Sequence, residues 1–184
     1  MLAFITRPRP DKAWFPAGLA SSYPDISPDN DNVAAISDPR PTPCSGDSAA
    51  DVPGCKVFSV PNGDVTSASE VSLSEAPGEG GPGLKDQVMV FRYRGKFHAV
   101  DHQCPHSSFP LSKGTPFDIE DFGIVLSAGI TCPKHSWSFD LFSGMGDRGA
   151  YKLKTWEVEL RPVKGGGEGA QDEEVWVRKK QRIG

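Results

Sequence analysis

Two short motifs constrain this chain more than anything else in its 184 residues: Cys104-Pro105-His106 and Cys132-Pro133-Lys134-His135, a C-x-H followed by a C-x-x-H. Each offers one thiolate and one imidazole from a few residues of chain. A proline directly after each cysteine fixes φ and removes a backbone donor, which stiffens the loop. Two stiff loops facing each other make a clamp with a mixed donor set of two sulfurs and two nitrogens. Cys2His2 is also a common structural zinc set, but zinc fingers usually pair cysteine with cysteine and histidine with histidine. The mixed pairs point away from zinc without closing that reading.

The residues around the motifs extend them. Val100-Asp101-His102-Gln103-Cys104-Pro105-His106, then Ile130-Thr131-Cys132-Pro133-Lys134-His135-Ser136-Trp137-Ser138-Phe139-Asp140-Leu141 with Ser143-Gly144, resemble the Rieske domain family. The likeness is strongest to its stand-alone ferredoxin and oxygenase-type branch, whose second loop often reads Cys-Pro-x-His-x-Trp-x-Phe-Asp-Leu, and it covers about residues 56 to 178. It implies a [2Fe-2S] cluster with Cys104 and Cys132 on one iron and His106 and His135 on the other. The implied fold is all-β, of stacked antiparallel sheets, with the cluster in a small subdomain and its histidines near solvent.

Several residues depart from the family pattern. High-potential members carry an extra cysteine in each loop that closes a disulfide; here Ser107, Ser108 and Phe109 follow the first motif and Lys134 stands where the second cysteine would be. Where those members place serine and tyrosine hydroxyls near the cluster, this chain has Trp137 and Phe139. Ser136 replaces a usual glycine, and Gly144-Met145-Gly146-Asp147-Arg148-Gly149 lacks the usual Gly-Pro. The resemblance therefore implies a cluster of low potential.

Periodicity supports an all-β domain independently. Gln87 to Tyr93 and Lys96 to Asp101 are apolar-rich runs joined at Arg94-Gly95, a hairpin signal. Phe122 to Leu126 and Gly129 to Thr131 lead into the second motif and Trp137 to Leu141 leaves it. Thr155 to Pro162 and Glu174 to Lys179 alternate apolar with polar residues as half-buried strands do. No segment shows a long 3.6-residue period with caps, so little helix is expected.

Residues 1–53 are punctuated by prolines in a Ser-, Asp- and Ala-rich background and are expected to form a disordered arm. Residues 54–180 are expected to form the domain, with flexible loops near 74–83 and 165–172 and a tail at 181–184. The long gap after the first motif predicts an inserted loop around Thr115 to Phe122. Cys44 and Cys55 lie outside the motifs and are expected to be unpaired in a reducing compartment.

A net charge of -4 argues against a general nucleic-acid binder. No run of some eighteen apolar residues predicts a membrane span. Arg7, Arg9 and Lys12 give a transit-like charge bias, but the prolines spoil an amphipathic helix, so the cytoplasm is the expected location and the mitochondrial matrix the alternative. Family oxygenases add a mononuclear iron held by two histidines and a carboxylate downstream; here only about fifty residues follow His135, none of them histidine. His98 and His102 are expected as a strand-surface residue and a loop hydrogen-bonder. No independent catalytic site is expected. The expected function is one-electron transfer between a reductase and an oxygenase or other acceptor. The alternatives are a metal-stapled redox-sensing or interaction module, or an accessory subunit of a larger reductase.

Overall fold

The computed structural model of the chain describes residues 13–27, 34–41, 51–74, 81, 83–163 and 172–180. Among them are thirteen strands and only single turns of 3₁₀ helix. In chain order they are β1 (Phe15–Leu19), β2 (Asp25–Ile26), β3 (Pro39–Arg40), β4 (Val52–Pro53), β5 (Cys55–Ser59), β6 (Ser69–Val71) and β7 (Gln87–Tyr93), followed by β8 (Lys96–Asp101), β9 (Thr115–Asp121), β10 (Ile124–Cys132), β11 (Trp137–Asp140), β12 (Trp156–Pro162) and β13 (Glu173–Lys179). No helix among these residues is long and apolar enough to cross a membrane.

The strands build stacked sheets. A central sheet runs β2-β7-β5-β6 with β8 on β7, an outer sheet runs β1-β13-β12, and a third runs β11-β10-β9. All pairings are antiparallel except the short β2–β7 pair. The central strand β7 shows why the layers stack. Successive side chains point to opposite faces: Val88 and Val90 enter a core shared with Phe15, Ala17, Val175 and Val177 of the outer sheet, while Met89, Phe91 and Tyr93 enter a core shared with Ile130, Phe139 and Leu141 of the third. A strand buried on both faces reads as an unbroken apolar run, which Val88 to Phe91 is. The β7–β8 turn is Arg94-Gly95, both residues with positive φ (47° and 74°), the geometry that two-residue hairpins require.

Two expectations need correction. The described parts of residues 1–53 are not a loose arm. β1 pairs with β13, β2 with β7 and β3 with β4, and Phe15, Ala17, Tyr23, Ile26 and Ile36 are core residues. Composition misled because the prolines that break the pattern sit where a missing donor costs little: Pro16 is on an edge strand, and Pro39 and Pro53 face each other in a two-stranded ladder. The inserted loop around Thr115 to Phe122 is instead strand β9, continued through a turn at Phe122-Gly123 into β10. Cys44, most of the 74–83 and 165–172 loops and the 181–184 tail lie outside the described residues.

Candidate metal centre

Each motif sits in a turn of the same construction. Ser108 donates its N–H to the Cys104 carbonyl at 2.9 Å, and Ser136 donates to the Cys132 carbonyl at 2.9 Å. Both serines adopt left-handed backbone, with φ of 54° and 56°. The two five-residue loops are thus related in backbone terms although their histidines occupy different positions, and Ser136 takes the left-handed conformation for which glycine is the usual choice. The first loop enters from β8 and is tied by Cys104 N–H to the Phe109 carbonyl (2.8 Å). The second is the turn between β10 and β11, whose last ladder pair is Cys132 with Trp137.

These turns bring all four sequence-predicted residues to one end of the molecule. Cys104 and Cys132 are buried, and each thiol perturbs the other. The Cys132 thiol, helped by the backbone of Ser107 and His106, holds the Cys104 thiol below the ordinary thiol range, and the Cys104 thiol pushes Cys132 above it, with the backbone of Lys134 opposing. The His106 and His135 rings lie with centroids 5.1 Å apart; His106 is half-buried and His135 exposed. Among the described residues no three His, Cys, Asp or Glu side chains are gathered closely enough to hold a single metal ion. Instead two sulfurs form one pair and two imidazoles another.

One atom tests whether this end suits a cluster. His106 Nδ1 is buried and has no hydrogen-bond partner among the described residues. A buried polar atom without a partner costs about 1–3 kcal/mol, and an orphaned ring nitrogen in a loop that also carries a buried cysteine is what a metal ligand looks like before its metal is counted. The donor chemistry fits a group that takes two thiolates and two imidazoles.

The sequence reading missed the residues that hold His106. Trp137 stacks on its ring, with centroids 3.9 Å apart and planes 8° off parallel, and Tyr151 packs edge-on against both at 5.3 Å and 5.2 Å. Tyr151 comes from the third loop, the segment between β11 and β12 that holds Gly144 to Gly149, which carries no motif that would have flagged it. Arg148 of the same loop lies 5.8 Å from the Trp137 ring and donates to the Ser136 carbonyl. Gly149 packs so close to the Trp137 ring that a Cβ there would touch it at 3.1 Å. Ser107 was also missed: its hydroxyl lies 3.6 Å from Cys132 Sγ.

The other two histidines divide. His102 is fully buried, its ring nitrogens bonded to Gln87 Oε1 and Ser112 Oγ at 2.8 Å each, which pins the first loop to β7 as a hydrogen-bonder should. His98 is not a surface residue: it is only 5% exposed, packed between Phe91 and Phe142. Phe91 of β7 and Phe142, from the turn after β11, close over it, which strand alternation alone did not reveal. Cys55 is buried on β5, far from the motifs in the ladder, and burial pushes its thiol up to about 12.

Comparison with known proteins decides the family. The model of the Rieske [2Fe-2S] domain matches residues 55–156. The chain belongs to the Rieske [2Fe-2S] domain family. It is therefore a [2Fe-2S] cluster-binding module. It is 40% identical over 60 residues to the human Rieske domain-containing protein, covering 33% of this chain and 35% of that one. It is 32% identical over 60 residues to the ferredoxin component of the alkene monooxygenase system of Xanthobacter autotrophicus, covering 33% and 43%. A solved complex of reduced oxygenase and oxidised ferredoxin in carbazole 1,9a-dioxygenase matches with a TM-score of 0.37 and 25% identity, over 69% of this chain and 95% of that one. The chain thus matches about a third to two fifths of the length of these two curated relatives.

Proposed function

We propose that this Rieske domain is a one-electron carrier whose cluster is held by Cys104, His106, Cys132 and His135, and that it passes electrons between a reductase and a separate oxygenase or other acceptor. The observation that carries the ligand assignment is the orphaned, buried Nδ1 of His106 at the same end as the paired thiols. When bound, the cluster supplies a one-electron couple. The chain's own residues do the rest. Backbone N–H groups of the two loops offset negative charge on the sulfurs, Trp137 and Tyr151 keep water from His106, and exposed His135 leaves a short path to a partner's surface. The ferredoxin named among the relatives belongs to a monooxygenase system, which supports an oxygenase as the acceptor class here.

Iron and acid-labile sulfide assay of anaerobically purified protein tests this directly. Two irons and two sulfides per chain are expected, with the visible chromophore lost in Cys104→Ala and Cys132→Ala and kept in Cys55→Ala. Stoichiometric zinc with no sulfide would favour the metal-stapled interaction module instead.

A further inference from the structure

The β9–β10 hairpin ends in an apolar tip that nothing among the described residues covers. Phe122 is 96% exposed, Ile124 64%, Val125 44% and Leu126 64%. A solvated turn gains nothing from these side chains, and Phe122 holds a positive φ of 49°, a conformation that a bulky residue rarely adopts and that asparagine or aspartate fills more readily. The ring is there at a conformational cost. Contiguous exposed apolar residues of this kind mark interaction surfaces.

Two further features say what meets the tip. Exposed Glu120 and Asp121 directly precede Phe122, so the knob is an aromatic ring beside two carboxylates. Beside the same hairpin lies a cleft of about 230 Å³ walled by Val125, Leu126, Ala128 and Phe142, with Lys96, His98 and the Arg94–Asp118 ion pair lining the rest; that pair offsets its own charges and leaves the Lys96 ammonium as the cleft's net charge. The Lys96 ammonium stands 5.5 Å from the Phe142 ring. Cleft and knob are complementary, apolar wall to aromatic ring and ammonium to carboxylates, yet Phe122 does not occupy the cleft of its own chain.

We propose that this hairpin is a self-association surface, in which two copies pair about a two-fold axis with Phe122 of each seated in the cleft of the other and Glu120 and Asp121 facing Lys96. An interface of this type is isologous, so one knob and one cleft per chain suffice. The carboxylates at the tip disfavour an anionic membrane as the occupant. Along β10 the knob end at Ile124 lies eight residues, about 27 Å, and the cleft wall at Ala128 four residues, about 13 Å, from Cys132, so the pairing is set off from the His106 and His135 loops.

Sedimentation equilibrium of the intact, cluster-loaded protein from low micromolar to several hundred micromolar tests the proposal. A reversible monomer–dimer equilibrium is expected. Phe122→Asn, which suits the left-handed turn, and Lys96→Glu should each weaken it by about tenfold or more, the effect of losing a buried anchor; Lys96→Glu combined with Asp121→Lys should recover most of the loss. A monomer at every concentration, a dimer indifferent to Phe122→Asn, or a double variant no tighter than Lys96→Glu alone would each overturn it. So would Phe122-dependent binding of the monomer to phosphatidylcholine vesicles.

Discussion

Ser107 is the side chain through which this chain adjusts its site most directly. Its hydroxyl, 3.6 Å from Cys132 Sγ, is the one side-chain donor near the sulfurs among the described residues, because Trp137 and Phe139 occupy the positions where other members of the family place hydroxyls. A donor to sulfur favours the more negative, reduced state. Ser107→Ala is expected to lower the midpoint potential by about 40 mV, the one-electron equivalent of ~1 kcal/mol, while leaving the cluster in place; an unchanged or raised midpoint by voltammetry would contradict this. His98 makes the second prediction at this scale. Burial depresses its pKa from 6.5 to about 4, with Lys96 adding to the shift and Asp140 opposing it. The unfolded chain therefore binds more protons than the folded one between these values. Stability from neutral His98 is complete above about pH 6.5 and is lost as pH falls through about 4, a contribution of ~3 kcal/mol. Denaturant unfolding at stepped pH should show a shallower acid decline in His98→Gln than in the parent; equal slopes would show that His98 is not the titrating group.

At the scale of elements, β1 is the strand that decides whether the first residues matter. Phe15 packs its ring against Phe58 at 5.4 Å and Trp156 at 6.4 Å inside the outer core. Phe15→Ala is expected to cost about 3 kcal/mol in denaturant unfolding, and deletion of residues 1–50, which removes β1 to β3, should abolish cooperative unfolding. A truncated protein of parental stability would return this segment to the status of a dispensable arm. The strands that alternate or run apolar without interruption, β7, β8, β12 and β13, were legible because their period was intact. So were the two motif turns, since ligand spacing and Cys-Pro are local signals. What stayed hidden depends on partners distant in sequence. β1 and β3 carry prolines that only their edge positions excuse, β9 reads as an insertion until β10 pairs with it, and the grip on His106 comes from Tyr151, which only the third loop's path brings to Trp137 and His106. The inward face of His98 is of the same kind, since the strand pattern around it gives no sign of Phe142 arriving from beyond β11.

For the molecule as a whole, layers and loops together place a thiol pair and an imidazole pair at one end, with a ring stack over the more buried histidine and an apolar hairpin at the other end of β10. With no loop disulfide and one nearby hydroxyl, the potential is expected toward the lower end of the family's range of about -150 to +300 mV. A midpoint near the top of that range at neutral pH would contradict a role as donor to an oxygenase or reductase. The central claim is that Cys104, His106, Cys132 and His135 together hold one [2Fe-2S] cluster, and pulsed electron paramagnetic resonance of the anaerobically reduced protein tests it most directly. The account predicts couplings to nitrogen from two imidazoles, with His106→Ala and His135→Ala each removing that ligand's coupling or the cluster itself. A paramagnetic cluster with no nitrogen coupling, or one unchanged in both histidine variants, would contradict it.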